Sequence, residues 1–332
     1  MNELIYDKDL INIILSYLDP LSKNHLLYIF YGILPEKDEE MFQRMIEDSD
    51  LQADQWKIYP TNVLEFTEIK NWYKSGIYKP YSETNFPEFI RILVNTFKNI
   101  PPWIRVNRIQ RDFPCIYIDG GNKVANLREV LDKELNNFQC KEIRSMEVRE
   151  NNQNMYRARL VRCDYRAQNG TEIFLSFKSC NCHLNNKYKL CISYEKYKLK
   201  CFIYNLFGLQ KPYFYGCGNE DTIYGFLRMR LSKNAGLKTF PLLQNKALIR
   251  ELHIYGSLIP VFVKNNSSIH TQHYGFGKAL LQNAEYIARI HNNINGMAVI
   301  SGVGVRQYYR KFGFEIHDSD FSNHGNIMIK NF

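Results

Sequence analysis

The sequence predicts a mixed α/β (α+β) protein of more than one domain, closing in a strand–helix–strand unit over residues 215–332. Three observations predict this. The chain has 332 residues, beyond the ~100–200 usual for one domain. It is 45% hydrophobic and 23% charged, enough apolar matter to bury real cores. Its apolar residues recur at helical spacing in some stretches and alternate in others, and Gly275 and Gly277 stand where the two periods meet.

The elements follow in order. In residues 1–30, Leu10, Ile14 and Leu18, with Ile11 and Leu15, recur at helical spacing, so this segment reads as helical. Glu36 to Glu47 is a charged amphipathic helix, Trp56 to Pro60 a short strand and Glu65 to Lys74 another helix. Asn85 to Asn99 is helical through Phe89, Ile90, Leu93, Val94 and Phe97, and Pro101-Pro102 ends it. Residues 103–118 read as strand and loop, Arg128 to Asn137 as a short helix, and Met155 to Phe177 as β-structure. Residues 178–216 are rich in Lys, Tyr, Asn and Cys and read as a solvated edge hairpin or an inserted loop. Ile223 to Leu231 alternates with Arg228 and Arg230 facing out. Leu248 to Tyr255 places Arg250, Leu252 and Ile254 on one face and Glu251, His253 and Tyr255 on the other. A turn-rich loop leads to a helix from about Gly277 to His291, and the strand Met297 to Ser301 follows.

The formal net charge is +9 and the pI about 9.0. A basic balance favours polyanions such as nucleic acid, an anionic membrane or CoA phosphates; compositional drift toward Lys and Asn is the plainer explanation. No apolar run approaches the ~18 residues of a membrane span. Leu10 to Leu18 is broken by Asn12 and Ser16 and followed by Asp19-Pro20, so neither a signal peptide nor a membrane partner is expected. The eight cysteines are then read as reduced thiols of a cytoplasmic or nuclear protein.

Chemistry concentrates at Gln272-His273-Tyr274-Gly275-Phe276-Gly277-Lys278, a Q-x-x-G-x-G string at a helix head. A helix N-terminus offers unpaired N–H groups and a positive dipole end to a pyrophosphate. Glycines let the backbone come close to phosphates. The strand Leu248 to Tyr255 could receive a pantetheine chain and polarise a thioester carbonyl with its amides. Strand, loop, glycine pair, helix and strand together suit acetyl-CoA; an ordinary turn is the bland alternative. Tyr308 or Tyr309, after the last strand, could protonate a departing thiolate, and Glu251 or His253 could act as base. Packing roles compete for all four.

Several strings resemble the catalytic third subunit of the Elongator complex and its archaeal and bacterial relatives. They are Arg250-Glu251-Leu252-His253-Ile254-Tyr255-Gly256, Gln272 to Gly277, Ala298 to Gly304 and Tyr308-Tyr309-Arg310-Lys311. Upstream, Lys57-Ile58-Tyr59-Pro60-Thr61, Lys79-Pro80-Tyr81-Ser82, Pro101-Pro102-Trp103-Ile104-Arg105, Arg108 to Asp112 and Asn126 to Glu129 are similar to it too. The resemblance implies a GNAT acetyltransferase fold over 215–332. It implies a partial radical-SAM barrel remnant over 31–115 and a connecting region over 116–214 with an insertion near 178–216. Ahead of these, the helical segment over 1–30 reads as a replacement helix covering the barrel's cut edge, with a loose likeness of residues 7–30 to an F-box helix pair as the alternative. The resemblance implies acetyl-CoA as donor, contacted by Glu251, Leu252, His253, Ile254, Phe276, Gly277, Lys278 and Tyr309, with Gln272 and Gly275 completing the loop. Tyr309 is the implied acid.

The resemblance also implies a wobble uridine of tRNA as substrate, and protein-lysine or histone acetyl transfer or non-catalytic tRNA binding are the rival readings. Arg105, Arg108 and Arg111 around Trp103 are the expected phosphate contacts, with a solvated face or internal ion pairs as the equal alternative. Other Elongator-like subunits, or a chain supplying the missing half of the barrel, are the further partners. Two departures stand out. Residues 1–114 contain no cysteine, so no iron–sulfur cluster and no autonomous radical chemistry are expected. Ser145 stands where some relatives carry a ligand cysteine near Cys140. Cys180-Asn181-Cys182-His183 with Cys191 and Cys201 offers zinc ligands, but its spacing is not that of a standard finger and surface thiols are the simpler reading.

Overall fold

The computed structural model describes residues 25–30, 35–135, 138, 140–148, 155, 158–180, 213–215, 220–233, 235–236, 240–256, 275–316 and 327–332. The chain is mixed α/β and divides into two compact units, Met1–Ser145 and Met146–Phe332.

In the first unit, three parallel strands lie in the order β1 (His25–Phe30), β2 (Gln55–Pro60) and β4 (Arg105–Arg108). Residues 25–30 therefore differ from the helical expectation. The run Leu-Leu-Tyr-Ile-Phe is apolar at every position and pairs with β2, and such a run suits a covered parallel strand. A short pair, β3 (Val63–Leu64) and β5 (Ile118–Gly120), runs antiparallel beside it. Helix α1 (Pro35–Glu47) opens with Pro35 in its first turn and buries Phe42 and Met45. Helix α2 spans Glu68–Lys74 and not Glu65–Lys74, because Phe66 takes a φ of 61° that no helix accommodates. Then come α3 (Tyr81–Thr84) and α4 (Phe86–Asn99). Asn85 caps α4 by accepting the Glu88 amide at 3.3 Å, and Phe89, Ile92, Leu93 and Phe97 form its buried stripe. The Tyr81 hydroxyl donates to the buried Asp38 carboxylate at 2.8 Å, tying α3 to α1. Helix α5 (Leu127–Leu135) and all but the last residue of α6 (Ile143–Met146) close the unit. The fully buried Glu142 accepts from the Val106 amide (3.0 Å), Arg128 (2.7 Å) and Ser145 (2.8 Å), joining α5 to β4. Its charge is thus paired and fully hydrogen-bonded, as burial requires.

The second unit is one mixed sheet of eight strands. In chain order these are β6 (Arg159–Ala167), β7 (Gly170–Cys180), β8 (Tyr213–Tyr215), β9 (Glu220–Leu231), β10 (Lys246–Ile254), β11 (Gly296–Ile300), β12 (Glu315–Ile316) and β13 (Ile327–Asn331). Their spatial order is β12-β13-β11-β10-β9-β7-β6-β8. All neighbours are antiparallel except β10 and β11, the central parallel pair. The β6–β7 hairpin turns at Gln168, whose φ is 51°, and it extends this same sheet. Within the expected insertion, Tyr213–Tyr215 forms the edge strand β8 against β6, whereas 181–212 lies outside the described residues.

Helix α7 (Phe276–Arg289) crosses between β10 and β11 and covers one face of the sheet. Leu280, Leu281, Ala284, Ile287 and Ala288 pack there on Leu175, Leu227, Met229, Ile249 and Val299. The last short helix is α8 (Arg306–Arg310).

The opposite face departs from expectation. Arg228 does not face out: it is 1% exposed, with its guanidinium 5.1 Å from the rings of both Phe174 and Phe226. Arg230 donates to the buried Glu172 at 2.7 Å. Both faces of the central strands are covered, so alternation there separates two interiors rather than inside from outside. Arg250 joins Arg230 on Glu172 (2.8 Å), which the β-bulge between Ile249 and Glu251 allows.

Candidate functional site

The parallel pair at the centre of the sheet is incomplete. Lys246 to Ile249 pair with Gly296 to Val299, but β10 runs on to Ile254 with no strand on that side among the described residues. A gap therefore opens between Glu251–Ile254 and the segment after β11. That segment carries exposed Ile300, Val303 and Val305, and Gly302 and Gly304 have nothing within 4 Å of a Cβ position. One wall of the gap is hydrogen-bonding backbone and the other is small and apolar. Such a slot suits an extended amide-bearing chain.

The head of α7 stands at this gap. Gly275 precedes the helix with a φ of 85°, a conformation natural to glycine. The first helical bond runs from the Ala279 amide to the Gly275 carbonyl at 3.0 Å. The amides of Phe276, Gly277 and Lys278 thus have no partner inside the helix and face the helix head with its dipole. Phe276 itself is buried on Phe177 and Tyr224 (ring centroids 4.7 and 5.8 Å) and fixes the helix start to β7 and β9. Lys278 is exposed. Gln272 lies outside the described residues.

The two tyrosines of α8 have different surroundings. A Cβ on Gly277 would meet the Tyr308 hydroxyl at 2.7 Å, so this hydroxyl lies against the head of α7. Tyr309 is buried in the core on Phe314 (5.8 Å), and burial pushes its phenol up to about 12. Burial raises Tyr308 as well. Among the described residues neither hydroxyl makes a hydrogen bond. At neutral pH both hold their protons, which suits an acid and not a base.

On β10, Leu252 and Ile254 pack toward α7, while Glu251 and His253 lie on the other face. The Glu251 carboxylate accepts from Arg228 Nε at 2.9 Å, a pair in which the arginine is enclosed. His253 is exposed and stacked on Phe226. Sequence reasoning missed Arg228 as the partner of Glu251, because alternation alone does not tell which face is covered.

The three arginines expected at an RNA surface belong to the first unit. Arg105 donates to Asn107 Oδ1 (3.1 Å), and Arg108 pairs with Asp112 at 2.9 Å in the open. Arg111 lies over the rings of Tyr59 (5.0 Å) and Phe113 (6.0 Å). Arg144, which donates to the Asn107 carbonyl, adds a fourth cation that the sequence did not single out. Cys140 is half-buried and its Sγ reaches the Phe97 carbonyl at 3.5 Å, while Ser145 serves Glu142. Among the described residues no group of His, Cys, Asp and Glu is arranged to hold a metal ion. Cys182, His183, Cys191 and Cys201 lie outside them, as does the side chain of Cys180. No helix among the described residues is long and apolar enough to cross a membrane.

Residues 53–137 match the Radical_SAM C-terminal domain family. The chain is 33% identical over 288 residues to human Elongator complex protein 3, covering 85% of this chain and 44% of that one. It is 34% identical over 313 residues to the tRNA uridine(34) acetyltransferase of Methanocaldococcus jannaschii, covering 89% of this chain and 49% of that one. An N-terminally truncated archaeal Methanocaldococcus infernus Elp3 superposes with a TM-score of 0.66 at 28% identity, over 94% of this chain and 64% of that structure. The chain thus spans about half the length of the curated relatives it matches.

Proposed function

We propose that this chain, a homologue of Elongator complex protein 3 over most of its own length, is an acetyl-CoA-dependent acetyltransferase whose acceptor is tRNA. The observation that carries the reading is the opening of β10 from β11 beside the head of α7. In it the amides of Phe276, Gly277 and Lys278 receive the pyrophosphate, with Gly275 giving the loop its turn. The pantetheine extends along Glu251–Ile254, whose backbone takes the place of a strand partner and polarises the thioester carbonyl. Acetyl-CoA supplies the activated acyl group, and the chain's own residues align it and shield it from water. Tyr309 or Tyr308 holds the proton delivered to sulfur as CoA leaves. Glu251, engaged by Arg228, orders β10 more readily than it accepts a proton.

In this reading, residues 215–332 with the β6–β7 hairpin form the transfer unit, and the first unit presents Arg105, Arg108 and Arg111 to the phosphate backbone. Other Elongator-like subunits are natural partners. Residues 1–114 supply no thiolate, so the donor set of an iron–sulfur cluster is lacking there. The test is acetyl-CoA turnover with and without transfer RNA. Stimulation by the RNA supports the reading; turnover that ignores RNA but proceeds on lysine peptides favours protein acetylation; no turnover with intact RNA binding leaves a binding protein.

A further inference from the structure

The parallel strands of the first unit have two unlike faces. On β2, Trp56 and Ile58 are fully buried, while Gln55, Lys57 and Tyr59 alternate with them and are half-buried on the other side. Sheets of parallel strands gather ligands at the carboxyl ends of the strands, where the connecting loops converge. Tyr59 stands at that end of β2, and the loop of residues 109–114 leaves the same end of β4.

This loop is anchored on both sides of its root. Ile109 is 4% exposed, and Gln110 donates to the Ala125 carbonyl and accepts from Asn122 Nδ2 at 3.1 Å. The next residue, Arg111, is exposed, and its guanidinium carbon lies over the rings of Tyr59 (5.0 Å) and Phe113 (6.0 Å). Both rings are half-buried. At such distances the π-faces attract the cation, and a guanidinium stacks through its plane as an ammonium cannot. A flat cationic group is thus seated on aromatic support before any ligand arrives, which lowers the ordering cost of binding.

That chemistry names a ligand class. A lone phosphate or carboxylate uses the charge and the N–H groups of an arginine and gains nothing from rings beneath it. An unpaired nucleobase uses the plane, since bases stack on guanidinium groups and aromatic rings alike. Its flanking phosphates meet further cations at the same end of the sheet, where Lys57 lies opposite Arg108 in the register of β2 and β4.

We infer that Arg111, seated on Tyr59 and Phe113, is a stacking platform for an unpaired nucleobase of the RNA acceptor. The inference rests on the RNA reading above and adds to the charge of Arg111 a use for its plane.

Anisotropy of labelled transfer RNA titrated with the full chain separates plane from charge. Arg111→Lys keeps the charge and loses the plane. It is expected to bind about tenfold more weakly, the size of one lost base stack, with the salt dependence of the wild type. Tyr59→Phe is expected to match the wild type, because the platform uses the ring and not the hydroxyl. Transfer RNAs lacking the base at each unpaired loop position in turn locate the partner. At one position the abasic RNA is expected to bind the wild type about tenfold more weakly and to be indifferent to Arg111→Lys. Wild-type affinity in Arg111→Lys would overturn the platform and leave Arg111 a phosphate contact, with the RNA reading intact. A loss in Arg111→Lys that persists with every abasic RNA would overturn it too, since no base would then be its partner. A wild-type chain that binds no RNA would sink the RNA reading and the platform with it. Thermal unfolding of each variant establishes that the fold is retained.

Discussion

The gap beside β10 and the arginine surface of the first unit are built in opposite ways. At the gap the useful groups are mostly backbone: amides at the head of α7, a strand edge with no neighbouring strand on that side among the described residues, and glycines whose missing side chains leave room. They are placed by sheet register and by one left-handed φ at Gly275. On the first unit the useful groups are long side chains, and each already has a neighbour: Asn107 for Arg105, Asp112 for Arg108, Tyr59 for Arg111. A backbone site is all but complete before its ligand arrives. A side-chain surface must give up local pairs to bind, and exposed pairs of this kind are worth only ~0–1 kcal/mol. The proposed donor site should therefore be sensitive to single atoms, and the proposed RNA surface only to several charges at once.

The largest effect is expected at the Arg228–Glu251 pair. Glu251→Ala should destabilise the second unit by roughly 3 kcal/mol, because it takes from an enclosed guanidinium its carboxylate partner. Denaturant unfolding measures this. An unchanged midpoint together with a large loss of turnover would return Glu251 to the role of base. Next is Gly277→Ala, which should weaken acetyl-CoA by about tenfold through a modest overpacking strain against the Tyr308 hydroxyl, 2.7 Å from the new Cβ. Combining it with Tyr308→Ala should recover part of the loss. Additive losses in the double mutant cycle would show that Tyr308 is not what the methyl group meets.

A smaller effect belongs to the arginines. Replacing Arg105, Arg108 and Arg111 together should flatten the salt dependence of RNA binding by about two units of log–log slope, fewer than three contacts' worth, because Arg108 is already paired. An unchanged slope would place the RNA elsewhere. The smallest concerns Tyr309, whose phenol is pushed up to about 12 by burial. A raised folded pKa contributes stability below the ordinary tyrosine value of ~10 that is lost as pH rises toward about 12. Tyr309→Phe should therefore flatten the alkaline loss of stability between those limits and change nothing with pH below them. An identical alkaline profile in the variant would mean that Tyr309 is not buried in this way.

What the sequence disclosed follows the same division. Glycine pairs, strand alternation and helix caps are local, so Leu248–Tyr255, Gly275–Gly277 and the α7 stripe could be read directly, and β10, α4 and α5 lie within a few residues of expectation. Coverage is not local. Arg228 alternates like a surface residue, but Phe174 and Phe226 arrive from other positions in the sheet to enclose it. The strand at 25–30 escaped because its partner, β2, begins at Gln55. Helix α2 begins late because of the backbone at Phe66, where a bulky residue takes a left-handed φ that composition does not announce. The separation of the two tyrosines, one at the head of α7 and one in the core, could not be read from two adjacent letters.

The head of α7 and the open edge of β10 are proposed here as the acetyl-CoA site. Calorimetric titration of acetyl-CoA into the wild-type chain and into Gly277→Asp tests it most directly, with circular dichroism to establish that the variant is folded. One saturable site is expected in the wild type and no measurable binding in the variant, where a carboxylate would face the pyrophosphate at the helix head. Equal affinity in the two proteins would contradict it.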